Sequence, residues 1–581
     1  MPVRIVRLLS ISLSVGALSA QLLPEQRVFD FQNLSALYAK RYAPYDWKRQ
    51  AFGFDLFDIK PWLDRVRAAK DDLEFFEIEA EYVASLQDTH SSFSMTSSFS
   101  ANLGMTVDIY DGKVLIDSIN RGLLPQASFP FTIGDELVSV DGKPVEDWIA
   151  LLSKWRAYGN PGTTRRAAAG KITVRSQSTV PRVVELGDTA AVVIRRANET
   201  LENYLIPWTK SGVPVYKVGP VPMPRSAIPL PRAADAQPYP SIPDEFHSWR
   251  LPDNDPLLQL IDWAVDPDGQ TRKFILGQGA RTPIFAAGLP ASFIQRLGRA
   301  SADFQFSGTY TASGKTIGYL RIPSFSPAVM ANAIRELDTE IDYMQKNTDG
   351  LVIDVMRNPG GGCYMLDTAA RLIPYPFYFF GEEIRATQDR LNSMQAQLDF
   401  YRATRVDDWI ISAQQAYVDA MKDALAKNRG NTWPIPACAQ FGSSWPPGLE
   451  ENQPAAVVYT KPMIVLIDEF SISAADIFPS MIQDNRRASL VGMRTSGGGG
   501  SVSGWPTGLY SESISNNTNT LVVRKYPITT ADLPMAQYVE NIGARPDIQL
   551  DYMTRDNLVN GGRTFVGQFT SILLNLIEKG N

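Results

Sequence analysis

At 581 residues the chain is too long for one hydrophobic core, since single cores stop growing at roughly 250 to 300 residues, and two or three domains are expected. A composition of 44% hydrophobic, 10% aromatic and 20% charged residues is that of a globular protein and excludes a disordered or membrane-embedded one. The formal charge of −6 comes with no basic cluster, which argues against nucleic acid or an anionic membrane surface as the main partner.

Residues 1–20 read as a signal peptide: Arg4 and Arg7 precede an apolar or small run, Leu8 to Leu18, and Ala17-Leu18-Ser19-Ala20 resembles a cleavage site. The run is shorter than the roughly 20 residues that a membrane span needs. Cleavage after Ala20 is expected, with a secreted or periplasmic destination, and the loss of both arginines takes the charge from −6 to −8. No other stretch is apolar enough for a transmembrane segment. Residues 21–97 are predicted to be helical, with helix-spaced apolar positions at Trp62 to Val66 and Phe75 to Ala80, and this region carries His90.

Residues 98–210 change to short alternating runs. Met105 to Ile109 and Lys113 to Asp117 flank Asp111-Gly112, a pair suited to a tight hairpin turn. The stretch Gly134-Asp135-Glu136-Leu137-Val138-Ser139-Val140-Asp141-Gly142, after Leu103-Gly104-Met105, resembles a PDZ domain. That resemblance implies capture of an extended peptide by strand addition, with the terminal carboxylate held by backbone N–H groups. Residues 165–186 are expected to be an insertion before strands Ala190 to Arg195 and Tyr204 to Ile206. Residues 211–299 read as a connector, because eleven prolines between 214 and 256 prevent regular structure.

Residues 300–581 alternate strands and helices, the pattern of an α/β layered domain, with a helical insertion at 383–445. Met330, Ile334, Leu337, Ile341 and Met344 form one helical face. The strand Met463 to Ile467 leads into Ser473, just before a helix that begins near Ala474. A serine there suits either an acyl-transfer nucleophile beside an anion-favouring helix terminus or an ordinary helix cap, and Ser471 shares the ambiguity. Asp354 to Gly362 ends in three glycines after a strand, which fits a tight turn or an oxyanion donor. Neither these glycines nor Gly497 to Gly500 have nucleotide-binding spacing. The chain has two histidines, His90 and His247, and two cysteines, Cys363 and Cys438, too few for a metal site or a disulfide scaffold. The cysteines could pair once. No cofactor or metal is expected.

Taken together, Pro462 to Arg494, Asp354 to Gly362, the PDZ-like region and Tyr538 to Ile548 occur in the order found in peptidase family S41, and the chain resembles that family. The resemblance implies a multidomain α/β protein with a ClpP/crotonase-like catalytic core acting on polypeptides. Processing members use a Ser-Lys dyad, but the place of the lysine holds Gly497-Gly498-Gly499 here. The tricorn and chlamydial-factor branch pairs the serine with an N-terminal histidine and a C-terminal glutamate. By resemblance Ser473, His90 and Glu540 take those roles, and the oxyanion donors are the N–H of Ala474 and of Gly360 or Gly361. Thr89 and Asp484 match family positions with weaker implications. The alternatives are a non-proteolytic carrier of apolar ligands and a PDZ adaptor on the same scaffold. Natural substrate, cleavage preference and oligomeric state, a homodimer included, stay open.

Overall fold

The structure is a computed structural model that describes residues 21–216, 275–438 and 447–579. The expected signal peptide, His247 and most of the proline-rich connector lie outside the described residues.

Four helices open the described chain: Pro24–Arg41, Tyr45–Phe52, Lys60–Ala68 and Asp72–Ala84. They close around Phe31, Leu34, Tyr38, Phe76 and Tyr82. Asp71 caps the last of them by accepting the Glu74 N–H at 2.8 Å, as an N-cap carboxylate does. The strand Ser92–Met95 follows, and it pairs antiparallel with Ser513–Thr518, Ser92 opposite Asn516 and Met95 opposite Ser513. This long-range pairing carries His90 to the C-terminal part of the chain.

The predicted β-rich domain is an antiparallel sheet of Met105–Tyr110, Lys113–Ile119, Glu136–Val140, Thr189–Arg195 and Leu201–Pro207. Its Asp111-Gly112 turn has φ of 49° and 76°, and Asp141-Gly142 has 51° and 73°, the two positive values that a type I′ hairpin requires. Val107, Ile116, Leu137 and Val140 face Ile149 and Leu152 of the helix Val145–Ser153. The expected insertion holds the end of the helix Pro161–Gly170 and a strand, Val174–Ser176, that pairs with Ser100–Asn102.

The C-terminal domain is built on a seven-stranded sheet in the order Ile294–Leu297, Phe306–Ala312, Lys315–Arg321, Gly350–Asp354, Met463–Ile467, Ser489–Gly492, Ile548–Gln549. The first three run antiparallel and the remaining pairings are parallel. Its edge strand Ile294–Leu297 falls in the stretch read as connector, because four residues with two apolar ends carry too little pattern to show. Leu351, Ile353, Val465 and Ile467 meet the helix Met330–Asn347 and its neighbours on one face. Val352, Ile464 and Leu466 meet Phe565, Phe569 and Leu573 of the helix Arg563–Lys579 on the other. Burial on both faces is why these strands are apolar throughout instead of alternating.

The expected helical insertion is a pair of helices, Gln388–Thr404 and Asp408–Ala426, packed through Leu398, Tyr417, Val418 and Met421. Asp389 ties it to Lys40 and Arg41 of the first helix. Cys363 and Cys438 are disulfide-bonded across 75 positions, a closure that stabilises by on the order of 4 kcal/mol in the chain-entropy account. Among the described residues no helix is long and apolar enough to cross a membrane.

Candidate active site

The strand Met463–Ile467 is buried along its whole length and ends in a turn that delivers Ser473 to the N-terminus of the helix Ala474–Asp484. Ser471 is structural: its hydroxyl donates to the Val355 carbonyl at 2.8 Å and accepts the Asp468 N–H at 3.1 Å. Ser473 is partly exposed and has φ 60° and ψ −117°. A side-chain-bearing residue there costs on the order of 1–3 kcal/mol, which the surroundings must impose. The Ala474 N–H opens the helix and has no intrahelical acceptor.

The turn after strand Gly350–Asp354 packs directly on Ser473. A Cβ on Gly360, whose φ is 96°, would lie 2.6 Å from the Ser473 Cβ and 2.5 Å from the Ile472 carbonyl oxygen, so only glycine fits. Asp354 itself is buried against Arg321 at 2.9 Å and Tyr319 at 2.5 Å. The Gly360 N–H is given to Asn358 Oδ1 at 2.7 Å. The neighbouring chain is fixed by Phe325 N–H to the Gly360 carbonyl and Gly362 N–H to the Phe325 carbonyl. Neither bond uses the N–H of the exposed Gly361.

The run Gly497 to Gly500, which offered nothing as a nucleotide loop, is where the predicted residues converge. Gly497 and Gly498 give their N–H groups to the Asp476 carboxylate at 2.7 and 3.0 Å, and the same carboxylate accepts the Ser473 N–H at 2.7 Å. A Cβ on Gly498 would lie 3.1 Å from His90 Cε1 and 3.1 Å from Thr89 Cγ2. Gly499 gives its N–H to Glu540 Oε2 at 3.1 Å, and Asn541 N–H returns to the Gly497 carbonyl at 2.9 Å. One glycine run thus touches the histidine, the glutamate and the clamp on the serine. Among the described residues, no hydrogen bond joins His90 to Ser473 or Glu540.

His90 is held through its backbone. Its N–H goes to Asp88 Oδ1 at 2.7 Å, and Asp88 also accepts from Tyr42 and Thr518. Arg156 donates to the carbonyls of Asp88, Thr89 and Ser91, pinning the loop. The ring Nδ1 is buried without a partner. Burial pushes the imidazole below its usual pKa, with Asp88 opposing and the charges of Arg156 and Lys48 assisting, so the ring is neutral at neutral pH. Thr89 is engaged with Ser496 and the Gly159 N–H.

Glu540 is fully buried and paired with Lys48 Nζ at 2.6 Å. Burial and the Asp88 charge push its carboxyl up to about 8, against Lys48 and the Gly499 N–H. Lys48 also donates to the Gln87 carbonyl and Asn541 Oδ1. Asp484, the weaker family match, is bound to the buried Arg524 at 2.6 Å and is structural. Sequence reasoning missed Lys48, Asp88, Asp476 and Arg156. Asp88 and Asp476 had one signal, their closeness to His90 and Ser473, whereas nothing local marks Lys48 or Arg156.

The Glu540 shift has a stability consequence. The folded pKa near 8 lies above the ordinary 4.5, so the folded state holds the proton more tightly. Its contribution is complete below about pH 4.5 and is lost as pH rises through 8. Relative to Glu540→Gln, the wild-type unfolding free energy is expected to decline between pH 5 and 9 in denaturant titrations. A pH-independent difference would contradict this.

Residues 316–550 match the model of peptidase family S41, and residues 99–216 match a PDZ domain model. The chain is therefore a multidomain α/β protein with a PDZ domain and an S41 catalytic domain, a serine-type peptidase. A protein of Chlamydia trachomatis serovar D is 26% identical over 598 residues, covering 94% of this chain and 92% of its own. A Chlamydia pneumoniae protein is 24% identical over 614 residues, covering 97% and 93%. Among solved structures, mature CPAF, the chlamydial protease-like activity factor, is similar with a TM-score of 0.71 at 22% identity, over 96% of this chain and 98% of that one. Mature CPAF complexed with lactacystin gives 0.70, also at 22%, over 96% and 99%. At these identities the likeness shows the fold.

Proposed function

We propose that the chain is an exported serine endopeptidase that hydrolyses polypeptides through Ser473, His90 and Glu540, with the PDZ domain recruiting extended chains or chain ends. The observation that carries this reading is the convergence on Gly497 to Gly499 of the Ser473 clamp, the His90 ring and the Glu540 carboxylate. Three segments so far apart in sequence have no local reason to share one wall.

In this mechanism the neutral His90 takes the proton from Ser473 Oγ as the oxygen attacks a peptide carbonyl, then gives it to the leaving amine. Glu540 orients the ring and, in the ionised form that Lys48 and the Gly499 N–H favour, stabilises the imidazolium. The oxyanion is received by the N–H of Ala474 and of Gly361, since the Gly360 N–H is occupied by Asn358 and Gly360 serves by lacking a side chain. Export follows from the leader read in residues 1–20.

Incubating the full chain with casein tests the reading. Cleavage that a serine-directed fluorophosphonate blocks is expected. Intact casein and other unfolded substrates, with no fluorophosphonate labelling, would favour a binding protein on the same scaffold.

A further inference from the structure

Asp476 lies three residues beyond Ser473, inside the first turn of the helix Ala474–Asp484, and its side chain is completely buried. A carboxylate at that position of a helix commonly accepts from the cap residue and from nothing else. This one accepts three backbone N–H groups from two segments. Oδ2 takes Ser473 at 2.7 Å and Gly498 at 3.0 Å, while Oδ1 takes Gly497 at 2.7 Å. No cation pairs with it among the described residues, so these donors, together with the Thr495 hydroxyl, are what compensates its burial.

The placement has two effects on the reacting groups. The Ser473 N–H is fixed, and with it the uncommon φ of 60° that presents the side chain at the helix mouth. Gly498 is held where its Cα faces His90 Cε1 and Thr89, and Gly497 is held against Asn541 beside Glu540. One carboxylate therefore sets the nucleophile and the wall behind the general base in a common frame. Burial pushes its pKa up to about 7, with Thr495 and the three N–H groups opposing.

We propose that Asp476 is a positioning residue for the hydrolytic reaction, a carboxylate that registers the Ser473 turn against the glycine run lining His90. The proposal rests on the peptidase reading of Ser473 and His90. Asp476→Asn replaces one acceptor oxygen with a donor that faces an N–H, so one of the two segments must move. In the folded variant kcat for a peptide substrate is expected to fall about tenfold to a hundredfold, as second-layer supports do, with KM within about threefold. The rate of fluorophosphonate labelling should fall in parallel. A residue that only stabilised the fold would lower the unfolding midpoint and leave kcat of the folded fraction unchanged.

Asp476→Glu carries the test if the asparagine variant does not fold. It keeps the charge and both oxygens but adds a methylene, and the same loss in kcat at retained KM is expected. Wild-type kcat in a folded variant of either kind would overturn the assignment of Asp476 alone. Absence of activity and labelling in the wild type would instead remove the peptidase reading on which it rests.

Discussion

Ser473→Ala is expected to fold as the wild type does and to lose hydrolysis by a factor on the order of 10⁴ to 10⁶, the range seen when the nucleophile of a cooperating set is removed. The side chain is partly exposed at a helix mouth, so truncation leaves no deep cavity, and the Ser473 N–H bond to Asp476 does not depend on the hydroxyl. His90→Ala should cost a comparable factor, and the double variant should be little worse than either alone, because a base without its nucleophile has nothing to do. Rates on a peptide substrate, with melting curves as the folding control, read this directly. Additive losses would mean that the two residues do not act in one step.

Lys48→Met is expected to destabilise the fold by about 3–5 kcal/mol, the usual result of leaving one partner of a buried pair unmatched. Lys48 and Glu540 are both wholly inaccessible at 2.6 Å. The ammonium also donates to the Gln87 carbonyl and Asn541 Oδ1, which keep the Asn541 Nδ2 and Trp47 Nε1 donors when it is removed, so the loss falls mainly on Glu540 Oε1. Adding Glu540→Gln removes the stranded carboxyl and should restore part of the loss. Urea unfolding of the single and double variants measures this coupling. A single-variant change below about 1 kcal/mol would show that water or rearrangement replaces the ammonium.

The parts of this molecule that local chemistry dictates were legible in the sequence. Asp111-Gly112 turns a hairpin because both residues accept positive φ, and the stripe from Met330 to Met344 faces the sheet because it repeats at the helical period. The strand before Ser473 and the glycines after Asp354 were legible as a strand end and a tight turn, but locally each suited a structural role as well as a catalytic one. What the sequence hid was created by distant pairing. His90 reaches the site because Ser92–Met95 adds to Ser513–Thr518, and no run of residues near either strand states that partnership. Lys48 has no local mark of burial. It sits on a short helix of mixed polar and aromatic residues, and only the fold shows that its head meets Glu540.

The glycines at 497 to 500 teach a related lesson. Read for a phosphate they were negative, and read for a dyad lysine they were an absence. In the structure they are required by space. A Cβ on Gly499 would sit 2.3 Å from the Glu540 nitrogen, and one on Gly498 would press on His90. Bare backbone here makes room for His90 and Glu540, which arrive from distant parts of the chain.

The central claim is that Ser473 is a nucleophile made reactive by His90. Peptide mapping by mass spectrometry after treatment with a fluorophosphonate tests it most directly. The account predicts one adduct, on Ser473, formed by the wild type and lost in His90→Ala. An adduct on another residue, or labelling of Ser473 that persists unchanged without His90, would contradict it.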